Sequence, residues 1–111
     1  MYSRAVTEQA LFILASLAQG ELHGYGIARD VEELSDGQVR LTAGTLYGAL
    51  NRLSADGLVE PAGEREVQGR RRRYYRLTAS GRAALSAEVE RLRQAAAALS
   101  ARIARPTPGL A

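Results

Sequence analysis

Four successive arginines, Arg70, Arg71, Arg72 and Arg73, are the densest chemical feature of this 111-residue sequence. Guanidinium groups bind phosphate oxygens through paired, geometrically matched hydrogen bonds, so the chemistry such a run suits is recognition of a phosphate backbone. Adjacent cations repel one another, and a merely solvated loop gains nothing from them. Gln68-Gly69 precedes the run and reads as a turn leading into a strand. That would place the arginines at the tip of a cationic hairpin able to reach a minor groove or flanking phosphates. Charge runs are most often plain solvated surface, so this one needs a companion element before it points to a nucleic acid.

Groups capable of covalent chemistry are nearly missing. There is no Cys, and His23 is the single histidine. Disulfides, thiolate zinc sites and cysteine nucleophiles are thereby excluded, and no Ser–His pair or metal centre of the usual kind can be assembled. His23 sits in the segment His23-Gly24-Tyr25 and reads as a side chain that orders the turn before a helix. Glu32, Glu33 and Asp36 read as a solvated helix face. The expectation is binding rather than catalysis, with no enzyme activity, metal or cofactor.

The elements that must position the arginines follow from periodicity. A first helix capped by Thr7 and running to about residue 18 carries Leu11, Leu14 and Ala18 at helical spacing, widened by Ala10, Ile13 and Leu17. A second fits residues 25–34, with Ile27, Val31 and Leu34 as its stripe. A third fits residues 43–56, capped by Thr42, striped by Leu46, Leu50 and Leu53, and stopped by Gly57. Residues 58–60 and 72–78 are strand candidates joined by a charged loop, a small hairpin rather than a sheet core. A last helix capped by Thr78 or Ser80 runs to about residue 104, and residues 106–111 form a frayed tail. The fold class is mainly α with a small β-hairpin. The expected domains are a DNA-binding body over 1–78, a dimerisation helix over 79–105 and the tail over 106–111.

The last helix needs something to pack on. Leu85, Val89, Leu92, Ala96, Leu99 and Ile103 recur at alternating spacings of four and three, an unbroken heptad seam. About 25 helical residues extend roughly 38 Å, longer than the preceding body can cover. The protein's own first helix is one cover for the seam. The geometry favours a second subunit, so the expected state is a homodimer.

The third helix supplies the companion for the arginine run. Opposite Leu46 lie Gly44, Thr45, Tyr47, Gly48, Asn51 and Arg52. Each interior glycine costs a helix about 1 kcal/mol relative to alanine. A face pressed on phosphates or base edges gains close approach in return, and Thr, Tyr, Asn and Arg can then donate or accept. Taken alone, the helix leaves a tolerated solvent face equally open. Helix, turn, helix and cationic hairpin in this order make double-stranded DNA the expected partner.

The charge balance fits. Fifteen basic residues face twelve acidic ones for a net +3, and every basic residue is Arg. Residues 1–60 hold four Arg against eight acids, whereas residues 61–82 hold seven against two. The missing Lys has two readings, a GC-rich codon bias or a preference for bidentate phosphate contacts. At 46% hydrophobic and 24% charged, the composition is that of one globular domain. No stretch reaches the ~18 apolar residues of a membrane span, and the apolar run at 10–18, flanked by Arg4 and Glu8, lacks a signal-peptide pattern. The expected location is the cytoplasm, with no membrane partner.

Several separated motifs then agree. His23-Gly24-Tyr25-Gly26-Ile27, the run Leu41-Thr42-Ala43-Gly44-Thr45-Leu46-Tyr47-Gly48-Ala49-Leu50-Asn51-Arg52-Leu53, and Gly57-Leu58-Val59 resemble the PadR family of winged helix-turn-helix transcriptional regulators. Residues 69–75 with Leu77, Thr78 and Gly81 look like that family's wing and the start of its last helix. The resemblance spans residues 7 to about 104. Where the family usually has proline, this chain has Gly48 and Arg71, changes expected to loosen the third helix and to add a charge to the wing. The single last helix looks like the smaller PadR subfamily, which dimerises through that helix and the first one.

The resemblance implies a dimeric repressor that sets two third helices in successive major grooves of a pseudo-palindromic operator, half-sites about one turn apart. Carried over by position, Thr42, Gly44, Thr45 and Tyr47 would meet DNA, with Asn51 on the same face, and Arg70, Arg71 and Arg72 would form the wing contact. Tyr25 would touch a phosphate or face the core. Some family members bind planar drugs or phenolic acids between subunits. This chain has no Trp and no aromatic after Tyr75, which leaves Phe12, Tyr2 and Ala96 as candidate lining of a pocket for a small-molecule effector. The alternative functions are a dimeric interaction module on the same scaffold and an RNA-binding protein. The latter has only Tyr74 and Tyr75 as a stacking platform.

Overall fold

The computed structural model describes residues 6–106 and Gly109; Tyr2 and most of the expected tail lie outside the described residues. Seven elements follow in order: α1 (Glu8–Ser16), β1 (Leu22–His23), α2 (Gly24–Leu34), α3 (Ala43–Ala55), β2 (Val59–Val67), β3 (Arg70–Leu77) and α4 (Ala79–Ala104). Local chemistry explains most boundaries. The side chains of Thr7, His23, Thr42 and Thr78 each accept a hydrogen bond from a backbone N–H of the following first turn, capping α1, α2, α3 and α4. Of the two capping candidates for α4, Thr78 is the one used.

α3 ends as a glycine-terminated helix should. Gly57 adopts φ +77° and donates to the Ser54 carbonyl, while Leu58 N–H reaches back to the Leu53 carbonyl at 2.9 Å. The reversal turns Leu58 and Val59 directly into the core, where they are almost fully buried with Ile13 and Leu14 of α1, Leu17 just past its end, Ile27 and Val31 of α2, and Leu46, Leu50 and Leu53 of α3. Leu34, placed by spacing at the end of the α2 stripe, is 52% exposed in the last turn of its helix, so the buried stripe stops at Val31.

The sheet is larger than the expected hairpin. Its three strands lie in the order β1-β3-β2, antiparallel throughout, and the two-residue β1 pairs Leu22 with Tyr75 and His23 with Tyr74. β2 runs through residues 61–67, which the sequence reads as a loop, and a register shift lies between Pro61 and Glu64. Pro61 is tolerated because β2 is an edge strand. The turn is the two residues Gln68 and Gly69, both at positive φ (+52° and +78°), the geometry that joins twisted antiparallel strands most tightly. The arginine run is corrected accordingly. Arg70 to Arg73 are not on the turn but are the first four residues of β3, opposite Val67, Glu66, Arg65 and Glu64.

One junction locks α4 to the rest. The Thr78 hydroxyl donates to the Gly57 carbonyl at 2.6 Å, Thr78 N–H donates to the Leu58 carbonyl at 3.1 Å, and Gly81 N–H donates to the Thr78 hydroxyl at 2.9 Å. Gly81 is buried, and a Cβ there would overlap the Leu58 carbonyl oxygen. One turn on, the Arg82 guanidinium donates to the Ala18 carbonyl at 2.7 Å, and Ala84 and Leu85 pack on the core. Beyond Leu85 the helix leaves the body. Val89, Leu92, Leu99 and Ile103 are all exposed, Ile103 at 83%.

Gly81→Ala forces a methyl group onto backbone rather than onto a movable side chain, and is expected to cost about 1–3 kcal/mol. Denaturant unfolding of the two proteins measures this; equal midpoints would show that the contact gives way freely.

Candidate nucleic-acid interface

The exposed side of α3 is the side opposite its leucine stripe. Thr42, Ala43, Gly44, Thr45, Tyr47, Asn51 and Arg52 are exposed and Gly48 is half-buried, while Leu46, Ala49, Leu50 and Leu53 face the core. The Thr42 hydroxyl accepts from Thr45 N–H at 3.2 Å and donates to the Thr45 hydroxyl at 3.0 Å, so both threonine side chains are held at the start of the helix. Gly44 has nothing within 4 Å of where a Cβ would stand, and Gly48 only the end of the Arg52 side chain at 3.9 Å. Internal packing therefore demands neither glycine. Their bareness matters only to something approaching from outside.

Tyr47 is anchored differently. Its hydroxyl lies against Gly24, the first residue of α2, where a Cβ would collide with it. The glycine of His23-Gly24-Tyr25 thus lets the third helix pack its aromatic side chain on the start of the second. Tyr25, for which the sequence left two orientations, is 57% exposed and faces away from the core. Its ring sits beneath two cations, with the Arg29 and Arg72 guanidinium carbons 5.9 and 5.8 Å from the centroid.

Most of the wing charge is already paired. Arg65 and Arg76 both reach Glu21, Arg76 also binds Glu60 at 2.6 Å, and Glu64 lies 3.4 Å from Arg71 and 3.9 Å from Arg73. Arg65 also stacks on Tyr74 at 4.1 Å. Among the described residues, Arg70 and Arg72 have no carboxylate partner. The three positions expected at the wing contact therefore differ: Arg70 is exposed and unpaired, Arg71 is exposed and shared with Glu64, and Arg72 is half-buried beside Tyr25. Arg29 joins Arg72 on the Tyr25 ring, and sequence reasoning missed it because a single arginine among the acids of α2 carries no local signal.

His23 connects this face to the fold. Its Nδ1 accepts from Gly26 N–H at 3.1 Å, its ring lies 6.4 Å from Tyr25 in a near-parallel stack, and Tyr74 meets it edge-on at 5.3 Å. Burial, helped by the nearby Arg72 charge, lowers its pKa below the usual 6.5. The neutral ring, with Nδ1 free to accept, is what the cap needs.

The proposed dimer and effector residues sit elsewhere. Leu85 is half-buried on the core, whereas Val89, Leu92, Ala96, Leu99 and Ile103 form an uncovered stripe along α4. Phe12 is half-buried on α1 and packs on the core, and Ala96 is exposed on α4. Three surface clefts of the body draw on the end of α1, the α1–β1 loop, α2, α3 and the wing, and Phe12 and Ala96 line none of these three.

With this geometry in hand, similarity decides the family. The model of the transcriptional regulator PadR-like family matches residues 13–87. The chain belongs to the PadR-like family. The transcriptional regulator Rv3488 of Mycobacterium tuberculosis is 44% identical to this PadR-like chain over 86 residues, covering 78% of this chain and 77% of that protein. A PadR family transcription regulator from Clostridium difficile R20291 superposes with a TM-score of 0.75 at 26% identity, over 87% of this chain and 99% of that one. Bacillus subtilis PadR, solved in complex with operator DNA, shares the fold with a TM-score of 0.68 at 21% identity, over 96% of this chain and 54% of that one. The winged-helix architecture with a long last helix is therefore that of PadR-like transcriptional regulators. The family match ends two residues past Leu85, where α4 leaves the body. No described helix is long and apolar enough to cross a membrane.

The lowered pKa of His23 has a definite sign. The folded state holds the ring neutral more strongly than the unfolded chain does. Its stabilising contribution is present above about pH 6.5 and is lost as the pH falls through the lower folded value. An NMR titration should place His23 below 6.5, and Arg72→Ala should raise it. His23→Asn keeps a capping acceptor and should flatten stability over that window; an unchanged slope would remove His23 as its source.

Proposed function

We propose that this PadR-like regulator is a homodimeric repressor that binds a pseudo-palindromic operator in the cytoplasm. One observation carries the reading. Ala43 and Tyr47 on the exposed side of α3, Tyr25 at the start of α2 and Arg72 of the wing line one cleft, although Tyr25, Tyr47 and Arg72 stand more than twenty residues apart in the chain. In this reading Thr42, Gly44, Thr45, Tyr47 and Asn51 enter the major groove, and Arg70, Arg71 and Arg72 hold the flanking backbone and minor groove. That Bacillus subtilis PadR was solved on operator DNA supports the same use of the fold here.

Of the described residues, those up to Thr78 then serve as the DNA-binding body and residues 79–105 as the dimerisation helix. The stripe Leu85, Val89, Leu92, Ala96, Leu99 and Ile103 is the expected subunit contact. A heptad seam uncovered from Val89 onward is what a second α4 buries. Two copies joined there would present two α3 helices to half-sites about 34–36 Å apart or a multiple of that. A small-molecule effector that releases the operator would bind between subunits, near Phe12 and Ala96.

A gel shift against the DNA upstream of this protein's own gene tests the reading. Gly44→Ala makes the tightest discrimination, since Gly44 is exposed and nothing in the fold opposes a methyl group there. It should stabilise α3 by up to about 1 kcal/mol yet weaken operator binding. A variant that is more stable and binds equally well would remove α3 from the interface.

The dimer has its own check. Light scattering at micromolar concentration should give twice the chain mass, and Leu92→Arg with Leu99→Arg should give a monomer that no longer binds the two half-sites together. A wild-type monomer under these conditions would overturn the assembly.

A further inference from the structure

Three arginines outside the ion pairs of the wing line a single cleft. Arg29 of α2, Arg40 of the α2–α3 connection and Arg72 of β3 meet around Tyr25 and Tyr47 in a concavity of about 480 Å³. Its one acidic wall residue is Glu32. Among the described residues none of the three arginines has a carboxylate within ion-pair distance. Two of them, Arg29 and Arg72, hold their guanidinium carbons 5.9 and 5.8 Å from the Tyr25 ring centroid, which puts both cations on the wall of this cleft. The Nε of Arg72 is enclosed by protein, so only the terminal guanidinium nitrogens can meet a ligand in the cleft.

We propose that this cleft is a phosphate seat, occupied by one backbone phosphate of the operator between the groove entered by α3 and the groove under the wing. The assignment rests on the DNA-binding reading above and adds Arg29 and Arg40 to it. Tyr25 and Tyr47 form part of the walls together with Leu41 and Leu46, and the guanidinium groups supply the charge-assisted donors that a phosphate oxygen takes best. Glu32 opposes the bound anion and holds the affinity of the seat down. A free phosphate ester presents the same group, so the seat would also accept one when no DNA is bound.

The test uses the double variant Arg29→Ala/Arg40→Ala, the variant Glu32→Gln and inorganic pyrophosphate as the free probe. Each seated phosphate contributes about −0.9 to the slope of log affinity against log salt. The double variant should therefore bind operator more weakly with a slope shallower by about that amount, and Glu32→Gln should bind more tightly. A single methylphosphonate at the seated position should weaken the wild type and leave the double variant unaffected. Loss of the slope with no pyrophosphate binding to the free protein assigns the seat to the operator backbone alone. Pyrophosphate binding that disappears in the double variant extends it to free phosphate esters. Unchanged affinity and slope in both variants overturn the seat while operator binding itself stands. A wild type that binds no operator overturns the DNA-binding reading instead, and pyrophosphate binding still reports on the cleft.

Discussion

The junction between the end of α3 and the start of α4 is the constraint on which the other elements depend. Gly57 reverses the chain, Leu58 and Val59 drop into the core, and Thr78 closes the loop by donating from both hydroxyl and backbone to the Gly57 and Leu58 carbonyls. Both ends of the wing pass through this knot. So does the first turn of α4, seated through Gly81 against the Leu58 carbonyl. The orientation of the wing relative to α3, and the direction in which α4 leaves the body, are thereby set by a few hydrogen bonds and one missing methyl group. Shifting Gly81 would disturb the interface and the exposed seam together, although neither contains it.

Electrostatics then sorts arginines that look equivalent. Exposed ion pairs contribute little stability each, typically under about 1 kcal/mol, but they determine which cations remain available. Glu21, Glu60 and Glu64 engage Arg65, Arg71, Arg73 and Arg76 and brace a wing whose outer part, residues 61–73, adds no residue to the buried core. Arg70 and Arg72 stay outside these pairs, and Arg29 and Arg40, from the acidic half of the chain, join Arg72 in one cleft. The net +3 therefore describes the interface poorly, since acids within the wing offset its own arginines and cations from the helical half reinforce it.

Legibility followed burial. The α2 and α3 stripes could be read because each alternates buried leucine, isoleucine or valine with exposed polar residues. In α1, by contrast, residues 10–16 are all buried or half-buried, and the spacing singled out Leu11 rather than Ile13. Thr7, Thr42 and Gly57 are local signals for the ends of α1 and α3. The outer wing could not be read. Residues 61–67 are exposed on most of their length, so no period-two hydrophobic pattern marks them as a strand, and the backbone ladder to β3 alone makes them one. β1 is two residues long and exists only because β3 lies beside it. Leu34 shows the opposite failure, an apolar residue in register whose helix has run past the core.

The residues of α3 and the arginine run were visible as chemistry before any contact was known, because unusual composition on a helix face and a block of like charge need no partner to be noticed. Family membership likewise follows from motifs in order along the chain. Which arginines are paired, which way Tyr25 faces, why residue 24 is glycine and that Arg29, Arg40 and Arg72 share a cleft were all decided by tertiary structure. Each depends on a distance between segments far apart in the chain. Periodicity carries the direction a side chain takes from its own helix or strand, whereas the partner it meets is set by how those elements are packed.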